Sequence, residues 1–193
     1  MAIIYNTATT LNGFLADEHN SLQWLFDVPG SEEAEQEMDT FLAGVSALVM
    51  GSTTYEWIRQ EMDLLNHPEK WRDTYGDRPT WVFSSREREI PEGLNIQVIN
   101  SPVVDALDQL RASAAEYNPE GDIWIMGGGE LAGQFLDAGA LDRITFTMAP
   151  VFLPSGAPLL PRRVESLRLN LAEMKQSGRF MEFTFDINQP PEG

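Results

Sequence analysis

The chain has 193 residues and a formal net charge of −17, with no cysteine and two histidines, His19 and His67. That length fits a single domain over residues 1–188 with a frayed tail at 189–193; disulfides, thiolate chemistry and a multi-histidine metal site are excluded, and no apolar run reaches the ~18 residues of a membrane span. Nine acidic residues precede Arg59, the first Lys or Arg in the chain, so nucleic acid is excluded as a partner for want of a basic footprint, and any anionic ligand must be held by backbone N–H groups, helix N-termini and a few local arginines.

Residues 2–9 read as the first strand, and the opening MAIIYNTATT has neither a basic n-region nor a cleavage pattern, which predicts a cytoplasmic chain. Residues 31–43 read as a helix with Ser31 as N-cap and Glu32 and Glu33 in the first turn. A short buried strand follows at 47–50, then a helix ending at Glu61. Strands are predicted at 80–84 and 95–99, and a helix at 103–116 with Leu107, Leu110 and Ala114 at core spacing. A strand at 123–126, a helix at 131–136 and a strand at 143–149 continue the alternation. Two late strands, 167–174 and 179–187, flank the turn Gln176-Ser177-Gly178, and Met181, Phe183, Phe185 and Ile187 alternate onto one face. The order predicts an α/β fold in three layers: a mixed, mainly parallel sheet flanked by helices, closed by a C-terminal antiparallel hairpin.

Ligands of such sheets sit beyond the carboxyl ends of the strands, and three junctions carry suitable chemistry. In Leu48-Val49-Met50-Gly51-Ser52-Thr53-Thr54 a glycine ends a strand and hydroxyls open a helix, as a phosphate site or an ordinary cap would require. In Gly127-Gly128-Gly129-Glu130-Leu131, three glycines follow a strand where a turn needs one. They make room for a ligand against bare backbone or for close helix–sheet packing. Ser84-Ser85-Arg86 follows a third strand, as a terminal-phosphate site or a solvated loop.

Taken with the stretches TTLNGFLAD from Thr9, LVMGSTTYE, VFSS and IMGGGELAGQFLDAGALDRITFTMAPVFLPSGAPLL, these residues resemble the dihydrofolate reductase-like family. The branch they resemble most is the reductase domain of bacterial riboflavin biosynthesis proteins and their stand-alone relatives. The resemblance implies NADPH as cofactor. Gly51, Ser52, Thr53 and Thr54 would approach its phosphates, and Ser84, Ser85 and Arg86 its adenosine 2′-phosphate. Gly127, Gly128, Gly129, Glu130 and Leu131 would pass under the pyrophosphate and nicotinamide half. It also implies hydride transfer to a small pyrimidine- or pterin-like substrate, as in 5-amino-6-(5-phosphoribosylamino)uracil reductase, with dihydrofolate reductase or a nucleotide-binding protein without turnover as alternatives. Three positions depart from the pattern: Ser52 stands where family members usually carry a base, Asn12 where the riboflavin reductases read aspartate, and Met126 where they place a glutamate.

On a helical wheel of ~100° per residue, Ala34, Met38, Phe41 and Leu42 form the apolar arc of helix 31–43, and Glu35 is the acidic residue nearest to it. A carboxyl at an apolar edge tends to stay protonated and can donate to a substrate nitrogen. Glu35 is therefore a candidate acid or merely a flanking charge, and Asp17, in the loop that the resemblance places over the nicotinamide, is a second candidate. Asn12, Trp24 and Leu25 are expected on the substrate side, the last two as an apolar wall or as core. The apolar run 144–153 beside a Phe-rich hairpin predicts a homodimer, as the resemblance also implies.

Overall fold

The computed structural model of the chain describes residues 1–30 and 34–188, the side chains of 34–37 excepted. In chain order its elements are β1 (Ile3–Thr10), β2 (Phe14–Ala16), α1 (Gln23–Phe26), α2 (Ala34–Ala43), β3 (Val45–Gly51), α3 (Ser52–Glu61), α4 (Glu69–Tyr75), β4 (Thr80–Phe83), β5 (Ile96–Ile99), α5 (Val103–Tyr117), β6 (Asp122–Gly127), α6 (Gly129–Asp137), β7 (Arg143–Ala149), β8 (Ala157–Pro158), β9 (Leu169–Ser177) and β10 (Phe180–Ile187). Eight of these strands form one sheet in the order β5-β4-β3-β6-β1-β7-β10-β9, and β2 pairs with β8 apart from it. The first six run parallel, while β10 and β9 are antiparallel to their neighbours. This is the mixed, mainly parallel sheet with a closing hairpin that the alternation predicts.

The central strands are apolar without alternation because both of their faces are covered: every residue of β3 from Val45 to Met50 is buried. On one face α5 lays down Val103, Ala106, Leu110 and Ala114 at spacings of three and four, and α6 adds Leu131, Ala132, Phe135 and Leu136. On the other face Leu42, Tyr55, Ile58, Leu64 and Trp71 pack on Leu48, Met50 and Val82. That second layer stops short. Beyond Trp124 the floor made by β1, β7 and β10 is polar, with Asn6, Thr145, Thr147 and Thr184, and it stays open as a cleft.

Several elements differ from the sequence expectation. Neither β2, β8, α1 nor α4 was expected; the first three are four residues or fewer, too short to carry a period, and α4 is fixed by one buried tryptophan, Trp71. β9 runs later than expected because a 3-10 turn at Ser166–Arg168 precedes it. The hairpin reverses at Gly178 (φ +54°), but β10 does not bury a clean alternation. Phe180, Thr184 and Ile187 are its buried residues, and the register with β9 shifts between Thr184 and Phe185. Phe183 and Phe185 share one face, as expected, and both stack on Phe146, with centroids 5.5 and 6.1 Å away. Ser31, Glu32, Glu33 and the tail 189–193, and with them the predicted N-cap and frayed tail, lie outside the described residues.

Candidate active site

The carboxyl ends of β3 and β6 lie side by side, with Met50 in register with Gly127. Each turns at once into a helix. Gly51 is the extended N-cap of α3 and Gly128 that of α6, and neither end has a side-chain cap. The first N–H of α6 to find a helical carbonyl is that of Ala132, on Gly128 O at 3.1 Å. The N–H groups before it, and those of Ser52, Thr53 and Thr54 in the first turn of α3, are the orphan donors that every helix start leaves. Two such starts, positive by their dipoles, therefore face the same space. A Cβ on Gly51 would stand 3.7 Å from Gly128 N.

The three glycines differ in their reasons. Gly127 has φ +154°, outside the range of ordinary side chains, and a Cβ there would meet Thr54 Oγ1 at 3.0 Å. Gly129 is required by the chain itself, since a Cβ there would fall on the carbonyl oxygens of Pro158 and Leu159. Among the described residues nothing lies within 4 Å of a Cβ at Gly128, so its missing side chain serves no packing against them. The Gly127–Gly128 peptide is cis.

Residues 156–162 form a strap over this turn. Its backbone pairs with β2, Leu159 N–H donates to Gly13 O at 2.8 Å, and Tyr5 Oη donates to Leu159 O at 2.9 Å. Arg162 then clasps α6: its guanidinium donates to both carboxylate oxygens of Glu130 at 2.8 and 3.0 Å and to Asp137 at 2.7 Å. The hydrogen bond from Arg162 holds the Glu130 carboxyl below its usual pKa. Burial pushes the Tyr5 hydroxyl well above its ordinary range.

Two clefts meet at Gly128. The smaller, of about 360 Å³, is lined by Gly51, Ser52, Thr53, Ser84, Ser85, Glu130 and Leu131, together with Asn100 and Ser101 at the end of β5. The larger, of about 1360 Å³, takes in Thr53, Thr54, Gly127, Gly128, Gly129 and Glu130 and runs over the open sheet floor. Gly128, Thr53 and Glu130 belong to both. Of the predicted cofactor residues only Arg86 lines neither. It is exposed, and among the described residues its guanidinium has no ion-pair partner. Ser84 is buried and spends its hydroxyl on Arg86 O at 2.7 Å, while Arg88 donates to it at 3.1 Å and pairs with Glu56.

On the substrate side, Trp24 and Leu25 line the larger cleft. Trp24 also packs with Val28, Ala149 and Phe180, and its indole N–H has no partner among the described residues. Phe26 of α1 stacks on Trp57 of α3 at 6.4 Å, and Met38 and Phe41 of α2 face the same space. Sequence reading missed Phe26 and Trp57. The aromatic residue one turn beyond the Ser-Thr-Thr start was the available signal. Asn12 is a clasp rather than a cleft residue: its amide donates to Leu153 O at 2.7 Å, and its carbonyl accepts from Leu153 N–H and from Thr10 Oγ1. Asp17 Oδ1 accepts the N–H groups of His19 and Ser21, both at 2.8 Å, and so shapes its own turn. The side chain of Glu35 lies outside the described residues.

Residues 1–181 match the RibD C-terminal domain family. The chain belongs to that family. This RibD C-terminal domain is 27% identical over 180 residues to the Bacillus subtilis (strain 168) protein YwjB, across 92% of this chain and 93% of that one. It superposes with a TM-score of 0.78 on a Shewanella sp. PV-4 protein provisionally assigned to riboflavin biosynthesis, at 26% identity over 98% of this chain and 100% of the other. It also superposes on the Thermotoga maritima diaminohydroxyphosphoribosylaminopyrimidine deaminase/5-amino-6-(5-phosphoribosylamino)uracil reductase (TM-score 0.66, 14% identity), covering 97% of this chain and 56% of that one. Enterococcus faecalis dihydrofolate reductase complexed with NADP(H) matches at TM-score 0.60 and 18% identity, over 97% of both chains. The fold is thus dihydrofolate reductase-like, and family membership supports a reductase-like function. No helix among the described residues is long and apolar enough to cross a membrane.

Proposed function

We propose that the protein is an NADPH-dependent reductase acting on a small heterocycle of the pyrimidine or pterin kind. One observation carries this reading: two uncapped helix starts converge on Gly128, whose missing side chain no neighbour among the described residues requires, at the junction of two clefts. The residues present fit a dinucleotide. The N–H groups of Ser52, Thr53, Glu130 and Leu131 suit a pyrophosphate, and Ser85, Asn100 and Ser101 offer hydroxyl and amide groups in the smaller cleft. When bound, NADPH supplies a hydride. The chain's own part is to orient a flat ring between the Phe26–Trp57 pair and the open backbone, to hold water away from it, and to deliver a proton. Glu35 is the proposed proton donor and Asp17 the second candidate.

The reading is tested by titrating the protein with NADPH and then following NADPH oxidation across a panel of pterins, pyrimidines and flavins. Tight methotrexate binding would favour dihydrofolate reductase instead, and NADPH binding without oxidation of any member a nucleotide-binding role.

Preference for NADPH over NADH is expected to depend on Arg86, the exposed base beside Ser84 and Ser85. A charge-assisted hydrogen bond to the 2′-phosphate contributes about 1.5–3 kcal/mol, so Arg86→Ala should weaken NADPH roughly ten- to hundredfold and leave NADH unchanged. Equal dissociation constants for the two cofactors in the wild type would remove the site.

The protein is also proposed to act as a homodimer. Phe152 is 72% and Met174 65% exposed, and Leu171 is exposed next to Met174's side of the hairpin, more apolar surface than the hairpin needs for itself. Light scattering at micromolar concentration should give twice the 21.6 kDa chain mass; a monomer mass would contradict it.

A further inference from the structure

The larger cleft is apolar in its walls and acidic in its charges. Trp24, Leu25, Phe26, Phe41, Trp57 and Met126 supply its non-polar surface. All thirteen Lys and Arg residues of the sequence fall within the described residues. Among the described residues, Arg143 and Lys175 are the two that line this cleft. Both are held by carboxylates: Arg143 Nε lies 2.8 Å from Asp186 Oδ1, and Lys175 Nζ lies 3.1 Å from Glu182 Oε1. Four acidic residues line the same cleft, Asp122, Glu130, Glu173 and Glu182; Glu130 is compensated by Arg162 and Glu182 by Lys175, so the acidic surplus is that of Asp122 and Glu173. The uncapped starts of α3 and α6, at Ser52–Thr54 and Gly128, offer N–H groups to an anion, and the proposed cofactor uses them.

A phosphate monoester carries close to two negative charges at neutral pH. Placed over this floor it would lose hydration against aromatic walls, face carboxylates, and meet bases whose charge is already compensated. A neutral ring loses little here, and a cationic ring gains from both the carboxylates and the aromatic faces. We propose that the substrate is a flat, non-phosphorylated heterocycle, neutral or cationic, and that the cleft discriminates against the phosphorylated form of the same ring. This rests on the reductase reading for its chemistry, but the discrimination belongs to the cleft's own charges.

The test is equilibrium dialysis of matched pairs that differ by one phosphate, riboflavin with FMN and thiamine with thiamine monophosphate, against the protein with and without NADPH. The non-phosphorylated member should bind at least about tenfold more tightly. Raising the salt to about 1 M, where the Debye length is about 3 Å, should shrink that ratio, which a steric cause would not do. Asp186→Asn leaves Arg143 without its carboxylate and should narrow the ratio at low salt. Phosphorylated members binding as tightly as their partners, or a ratio indifferent to salt, would overturn the inference. The two readings fail separately. Ring selectivity without NADPH binding would remove the reductase reading and keep this one, whereas NADPH binding with phosphorylated rings preferred would remove this one alone.

Discussion

Gly129→Ala should melt roughly 6–12 °C below the wild type, whereas Gly128→Ala should melt with it. The two positions are neighbours in one turn, and their difference comes from what surrounds them. A methyl at 129 is driven onto the carbonyls of Pro158 and Leu159, and these belong to a strap pinned by the β2–β8 pair, by Tyr5 and by Arg162. Neither oxygen can swing aside as a flexible side chain would. Overpacking of this kind costs about 3 kcal/mol, and in a chain of this size each kcal/mol is worth roughly 2–4 °C. At 128 the added methyl enters open space with φ −88° and ψ −178°, which any residue adopts. Thermal melts of the two variants check this directly. Equal losses at both positions would mean that the turn is built for internal packing alone.

Glu35→Gln should slow the reduction step by roughly 10²–10⁴-fold, the usual worth of a positioned acid, and leave NADPH binding unchanged, since the proposed cofactor groups lie on α3, α6 and the end of β4. α2 is placed for such a role: Phe41 and Met38 of its apolar arc face the larger cleft, and Leu42 goes into the core. If the protonated carboxyl is the active form, wild-type turnover falls as the pH rises through its titration, and the Gln variant lacks that limb. Gln retains the size of Glu and removes only the ionisable group. Wild-type turnover with an unchanged pH profile in the variant would pass the role to Asp17 or to a bound water.

The sheet was legible in the sequence because its strands are covered on both faces and read as apolar runs, as Ala47–Met50 does within β3, and because α5 and α6 bury regular stripes. The strap was not legible. β8 is two residues long, held in place by its pairing with Phe14 and Ala16 at the other end of the sequence, and no local pattern encodes that. The sequence left the glycine turn open between ligand approach and close packing, and it could not divide the labour among three identical residues. Only the strap's position shows that Gly129 serves packing while Gly128 is left open. Asn12 bridges to the backbone of Leu153, far along the sequence, while Asp17 caps its own turn as short polar side chains in loops commonly do. Arg86 sits next to the smaller cleft in sequence but outside its lining, because Ser84 turns inward to cap the loop.

The most direct measurement is calorimetric titration of NADPH into the wild type and Gly128→Ala, with thermal melts of both run alongside. The dinucleotide reading predicts saturable binding to the wild type and a loss of about a hundredfold or more in the variant, since the methyl occupies the space between the two helix starts, at an unchanged melting temperature. NADPH binding equally well to both, or not at all to the wild type, would contradict it.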